Sequence, residues 1–108
     1  MSIEQTDKVD FLSIEKQTNM VKLTISDHLG WNKENEHLLL LQEKINTYLR
    51  FIESGELFDV YPEAKGKKIL IYIASKYEPS KLCKVFFEKA SSVIAEAGFI
   101  LKFETVVD

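Results

Sequence analysis

The side chains best suited to chemistry gather in one stretch of the 108-residue sequence. Asp27, His28 and Trp31 stand in or beside a loop, and His37, Lys44 and Tyr48 follow on a segment with helical periodicity. At roughly 100° per residue, His37, Leu41, Lys44 and Tyr48 fall on a single stripe. Three polar tips aligned in this way would wall a groove against the 27–31 loop, suited to a small anion or a partner's carboxylate. A plainer reading competes with it and is the stronger one. A Tyr and a Lys at the edge of a core lay their stems on apolar neighbours and keep their tips in water. Trp31, by the same reasoning, plugs the end of the core.

Other reaction chemistries fail on spacing. Ser26-Asp27-His28 holds the three residue types of a hydrolytic triad, but neighbours on an extended chain point to opposite faces and cannot relay a proton. Asp27, His28, Glu36 and His37 carry atoms that bind zinc, yet they match no zinc pattern, and Glu36 and His37 diverge on a helix. Cys83 lies on an apolar helical face, where a thiol acts as a small hydrophobe. Gly30, Gly55, Gly66 and Gly98 are isolated turn or cap glycines, so no phosphate-cradling loop is formed. The residues therefore name no catalytic group, metal or cofactor and argue against an enzyme.

The element that must position these side chains is the long helix over Asn32–Glu53. Leu38, Leu41, Ile45, Leu49 and Ile52 form its core-facing stripe, with Tyr48 at the edge. Asn32 is the expected N-cap, Glu34 and Glu36 suit the positive end of the helix dipole, and Ser54-Gly55 supplies a left-handed stop. Leu39, Leu40 and Phe51 do not fit this face and require another cover. Around the helix, Lys8–Glu15 and Met20–Asp27 read as a hairpin, with Val21, Leu23 and Ile25 on one side of the second strand. Lys68–Ser75, apolar on both faces, reads as a central strand. Ser80 starts a second helix over Lys81–Ala97, Gly98 ends it, and Phe99–Val106 forms a last strand. Residues 57–61 are open between a short edge strand and a packed loop.

These elements predict an α+β fold, a two-layer α/β sandwich in the order β-β-α-β-α-β. The sheet has four strands, or five if 57–61 joins it, and both helices lie on one face. Residues 1–7 read as a disordered N-terminus and 8–108 as a single domain.

A formal net charge of −3 gives no global attraction to phosphate backbones, and Lys65-Gly66-Lys67-Lys68 is only a short basic turn, so nucleic acid is not an expected partner. No apolar run is long enough to span a bilayer. One cysteine forbids an internal disulfide and fits a reducing, cytoplasmic setting. By elimination the first functional expectation is a non-catalytic protein-binding or accessory protein, in its simplest form a homodimer, with Leu40 and Phe51 as the contact patch. The alternative is a small-ligand site or weak enzyme built from Asp27, His28, Trp31, His37, Lys44 and Tyr48.

One resemblance spans nearly the whole chain. It runs through Ile25-Ser26-Asp27-His28-Leu29-Gly30-Trp31, His37-Leu38, Leu41-Gln42-Glu43-Lys44-Ile45-Asn46-Thr47-Tyr48 and Phe51-Ile52-Glu53-Ser54-Gly55. It continues through Tyr61-Pro62-Glu63-Ala64-Lys65-Gly66 and Lys76-Tyr77-Glu78-Pro79. In combination these segments resemble a family of small, uncharacterised bacterial proteins, a domain of unknown function. The resemblance implies a stand-alone bacterial domain and brings no activity, cofactor or site. Gly30 stands where an acidic residue is expected in that family.

Overall fold

The computed structural model describes residues 3–9 and 11–106. A hairpin opens the sheet: β1 (Phe11–Ile14) pairs antiparallel with β2 (Val21–Asp27), setting Leu12 opposite Leu23 and Ile14 opposite Val21. Asn19 takes φ 58° in the connecting turn, a conformation that asparagine tolerates better than most residues. A long helix, α1 (Glu34–Glu53), then crosses to β3 (Ile69–Ser75), and a second, α3 (Lys81–Glu96), crosses to β4 (Ile100–Thr105). Between α1 and β3 lie a short helix, α2 (Glu56–Val60), and a 3-10 turn at Pro62–Ala64.

The sheet order β1-β2-β3-β4 follows the chain, and β3 runs parallel to both of its neighbours. Parallel crossovers favour the right hand, and two of one hand stepping in the same direction put both helices on one side of the sheet. Burial agrees with that geometry. Val21, Leu23, Ile25 and Asp27 are buried on the helix side, whereas Ser26 is exposed and Lys22 and Thr24 are half-exposed on the other. The expected two-layer α+β sandwich and its element order are thus what the chain forms.

Residues 57–61 contribute no strand, so the sheet has four strands among the described residues. Gly55, at φ 87°, ends α1 and begins α2 in one step, a backbone turn that a Cβ would strain. α3 starts where expected, with the Ser80 Oγ accepting from the Cys83 amide at 3.1 Å. α1 starts later than expected. Its cap is Lys33, which makes no side-chain capping bond, and Asn32 lies outside the helix.

The core stripe of α1 is also rotated. Its buried residues are His37, Leu41, Lys44, Ile45, Tyr48 and Ile52, while Leu38 and Leu49 are only half-buried. The stripe has turned by roughly 50° toward the polar flank. The N-terminal segment is the cause. From Ile3 onward, the stretch that reads in sequence as a disordered tail packs against α1 and the end of β2. Ile3 is fully buried and its amide donates to the Ser26 carbonyl at 3.2 Å. The Lys44 ammonium donates to the carbonyls of Gln5 and Lys8, each at 2.7 Å, and the Thr47 hydroxyl donates to the Thr6 carbonyl. Burying the Ile3 side chain is worth about 2 kcal/mol, and the carbonyls make burial of the Lys44 charge tolerable.

Candidate functional site

Alternation along β2 turns Asp27, its last residue, toward the helices, where it is shielded beside Ser75, the last residue of β3. Asp27 Oδ2 lies 2.6 Å from His37 Nε2, and Oδ1 accepts from the Leu29 amide at 3.1 Å. On the other edge of the imidazole, His37 Nδ1 donates to the Gly30 carbonyl at 3.0 Å. A carbonyl can only accept, so the Nδ1 edge of the ring is the donor in that bond. The Trp31 ring stacks on the imidazole with centroids 3.6 Å apart and planes 19° from parallel. Its Nε1 is buried and has no hydrogen-bond partner among the described residues. Asp27, Trp31 and His37 thereby fasten the loop between β2 and α1 at both ends.

The other three residues of the expected groove go elsewhere. Tyr48 sends its hydroxyl to the Thr24 carbonyl at 2.6 Å, and Lys44 serves the N-terminal segment. His28 is exposed, 3.4 Å from a Glu4 carboxylate oxygen. A cavity of about 370 Å³ does open between the 27–31 loop and α1, lined in part by Gly30, Lys33, Glu36, His37 and Leu40. Of the six expected residues it takes in only His37, both of whose ring nitrogens already have partners within the chain. Leu40 and Phe51 are half-buried and packed on the core. Leu40 shares a cavity with Glu4, and Phe51 shares another with Asp7 and Val9. Both side chains therefore rest on the core on one side and border a cavity shared with the N-terminal segment on the other.

Sequence reasoning missed two polar arrangements. Near Asp27, the Cys83 thiol is pushed up to about 11, chiefly by burial and further by the negative charges of Asp27 and Glu34. The thiol is therefore held neutral. Its signal was the Ser80 cap, which sets Cys83 in the first turn of α3, over the ends of β2 and β3. On the open face of the sheet, Tyr72 donates to Glu104 at 2.5 Å, with Lys22 4.1 Å above its ring and Lys102 3.7 Å from the same carboxylate group. This bond raises Tyr72 to about 12 and lowers Glu104. Only the strand register reveals it, since Tyr72 and Glu104 lie on different strands.

The surface of the helical layer is apolar in part. Leu39 is 57% exposed on α1, and Leu82, Val85 and Val93 are 43%, 49% and 63% exposed on α3. Leu39, Leu82 and Val85 join Leu38 and Phe86 in a groove of about 340 Å³ between the two helices. Among the described residues, no group of three or more His, Cys, Asp or Glu side chains is arranged to hold a metal ion, and no helix is long and apolar enough to cross a membrane.

Fold and site together define a small α+β sandwich whose most conspicuous polar cluster fastens a corner of the molecule. The chain belongs to a family of unknown function (DUF6572), whose model matches residues 1–107. No curated protein and no solved structure matches it.

Proposed function

We propose that this protein is a non-catalytic protein-binding or accessory domain acting through the outward face of α1 and α3. The observation that carries this reading is the run of exposed Leu39, Leu82, Val85 and Val93 on that face. Apolar side chains gathered on one surface favour a protein partner that removes them from water. The chemistry-bearing residues point the same way. Asp27 and His37 satisfy each other, and Lys44 and Tyr48 donate to main-chain carbonyls. The unpaired, neutral thiol of Cys83 suits a reducing compartment, which favours the cytoplasm.

The test is quantitative affinity capture with the wild type and Val85→Glu, a substitution at an exposed position. A partner recovered with the wild type and reduced at least about tenfold with the variant, a difference of about 1.4 kcal/mol, supports the reading. Equal recovery on both overturns it.

The cavity beside His37 supports a second reading, a small-ligand site whose polar contacts are Lys33 and Glu36. A ligand-screening melt of the wild type beside Lys33→Ala and Glu36→Gln separates the two, because stabilisation by a bound ligand would vanish in those variants.

A further inference from the structure

We infer that the partner of the helical face is a second copy of this chain, with α3 packed antiparallel against α3 of the other copy about a twofold axis. The inference rests on the binding face proposed above and names its occupant.

The spacing of the stripe on α3 carries it. Leu82, Phe86, Lys89 and Val93 fall within about 60° of one another on the helix. Their positions are symmetric about a point between Phe87 and Glu88. An antiparallel copy centred on that point sets Leu82 against Val93 at both ends and Lys89 against Phe86 twice in the middle. The end pairs are apolar contacts between side chains that are exposed here. In each middle pair the Lys89 stem covers the half-buried Phe86 ring, and its ammonium lies within reach of the ring face, an attraction a lone helix leaves unused. A twofold interface needs such self-complementarity, since every contact occurs twice.

Charges at the flank agree. Lys81 and Glu96 stand at opposite ends of α3, on the same side of the stripe, and the antiparallel arrangement brings each beside the other's counterpart. It also places each Glu96 near the positive N-terminal end of the opposing helix. A parallel arrangement would instead align like with like. Leu39 and Val85 adjoin the stripe on the side of α1 and extend the apolar contact beyond a single helix.

The test uses the full chain in sedimentation-equilibrium runs from about 10 to 500 µM, the range in which an interface of modest area associates. The wild type is expected to pass from monomer to dimer. Val93→Glu and Leu82→Lys, both at exposed positions, should each weaken the dimer at least about tenfold. Combined in one chain, they should restore it, because each introduced ammonium then faces an introduced carboxylate, and the restored dimer should weaken in salt. A wild type that stays monomeric overturns the inference, as does a double variant no better than the singles. Thermal melts within a few degrees of wild type show that the variants fold. If self-association fails while capture of another protein still depends on Val85, only the identity of the partner falls. If both fail, the binding face falls with it.

Discussion

His37 shows how a residue suited to chemistry can be committed to architecture instead. Its two ring nitrogens and both oxygens of Asp27 are engaged within 3.1 Å, and both side chains are buried. His37→Ala would leave the Asp27 carboxylate buried with one backbone partner, at a cost of about 3–5 kcal/mol. For a chain of this size that is a fall of roughly 15 °C or more in melting temperature. Trp31 is the one tryptophan of the chain, so the same variant should show a red-shifted emission as the indole loses its stacking partner and meets water. An unchanged melt and spectrum would refute this assignment. Cys83 gives a prediction in pH. Its thiol rises from an ordinary 9.0 to about 11 on folding, so the folded state favours the protonated form. The stability this contributes is complete below pH 9 and is lost as pH climbs to 11. Tyr72, raised from 10.0 to about 12, adds a second loss displaced upward by about one pH unit. Denaturant titrations should therefore show Cys83→Ala with a shallower decline beginning at pH 9, and with the later Tyr72 decline intact.

At the scale of the element, α1 has a front and a back that its own sequence does not assign. Periodicity located the helix and its αL stop at Gly55, because those signals lie within a few residues of one another. It misjudged the facing of the stripe by about half a residue's rotation. Lys44 is the reason: a lysine reads as a surface residue, and main-chain carbonyls of residues 5, 6 and 8 meet the Lys44–Thr47 flank and help to bury Lys44. Main-chain acceptors leave no mark in side-chain identity, so this part of the structure was illegible. The Asp27–His37 pair was legible in its membership but not in its purpose. Asp27, Trp31 and His37 were all chosen, whereas the carbonyl of Gly30 and the amide of Leu29 that absorb their capacity were not. A direct check is Lys44→Ala, which removes the ammonium from the Gln5 and Lys8 carbonyls and leaves Gln5 only the Lys8 amide. It should cost about 2–4 kcal/mol and raise the rate of tryptic cleavage after Lys8 by about tenfold or more, since local opening sets that rate. Cleavage at the wild-type rate would show that the segment is held by something else.

At the scale of the molecule, the class of fold was legible because each strand and helix carries its own period and punctuation. The four-strand sheet needed only the decision on residues 57–61, where Gly55 and Pro62 enclose a segment too short to show a period. A two-layer arrangement leaves one sheet face bare, and here that face is finished by Lys22, Tyr72, Lys102 and Glu104. The outer side of the helices is finished differently, with Leu39, Leu82, Val85 and Val93 in water. Phe11 and Ile100 are also exposed, on the two edge strands of the open face, so the helical side differs in gathering Leu39, Leu82 and Val85 into one groove.

The sheet order β1-β2-β3-β4 also bears on how the chain is made. Each strand pairs with its predecessor, so no strand emerging from a ribosome has to wait for a later one to occupy the place beside it. The hairpin can close first, and the N-terminal segment finds its anchor once α1 is complete. β3 then docks on an existing edge. Like α1 before β3, α3 emerges ahead of the strand its crossover leads to, which leaves Phe87 without Phe103, its edge-to-face partner, until β4 is synthesised. During that interval the growing chain is most exposed to wrong contacts, and they would form on the same helix that is assigned here to partnership in the finished protein.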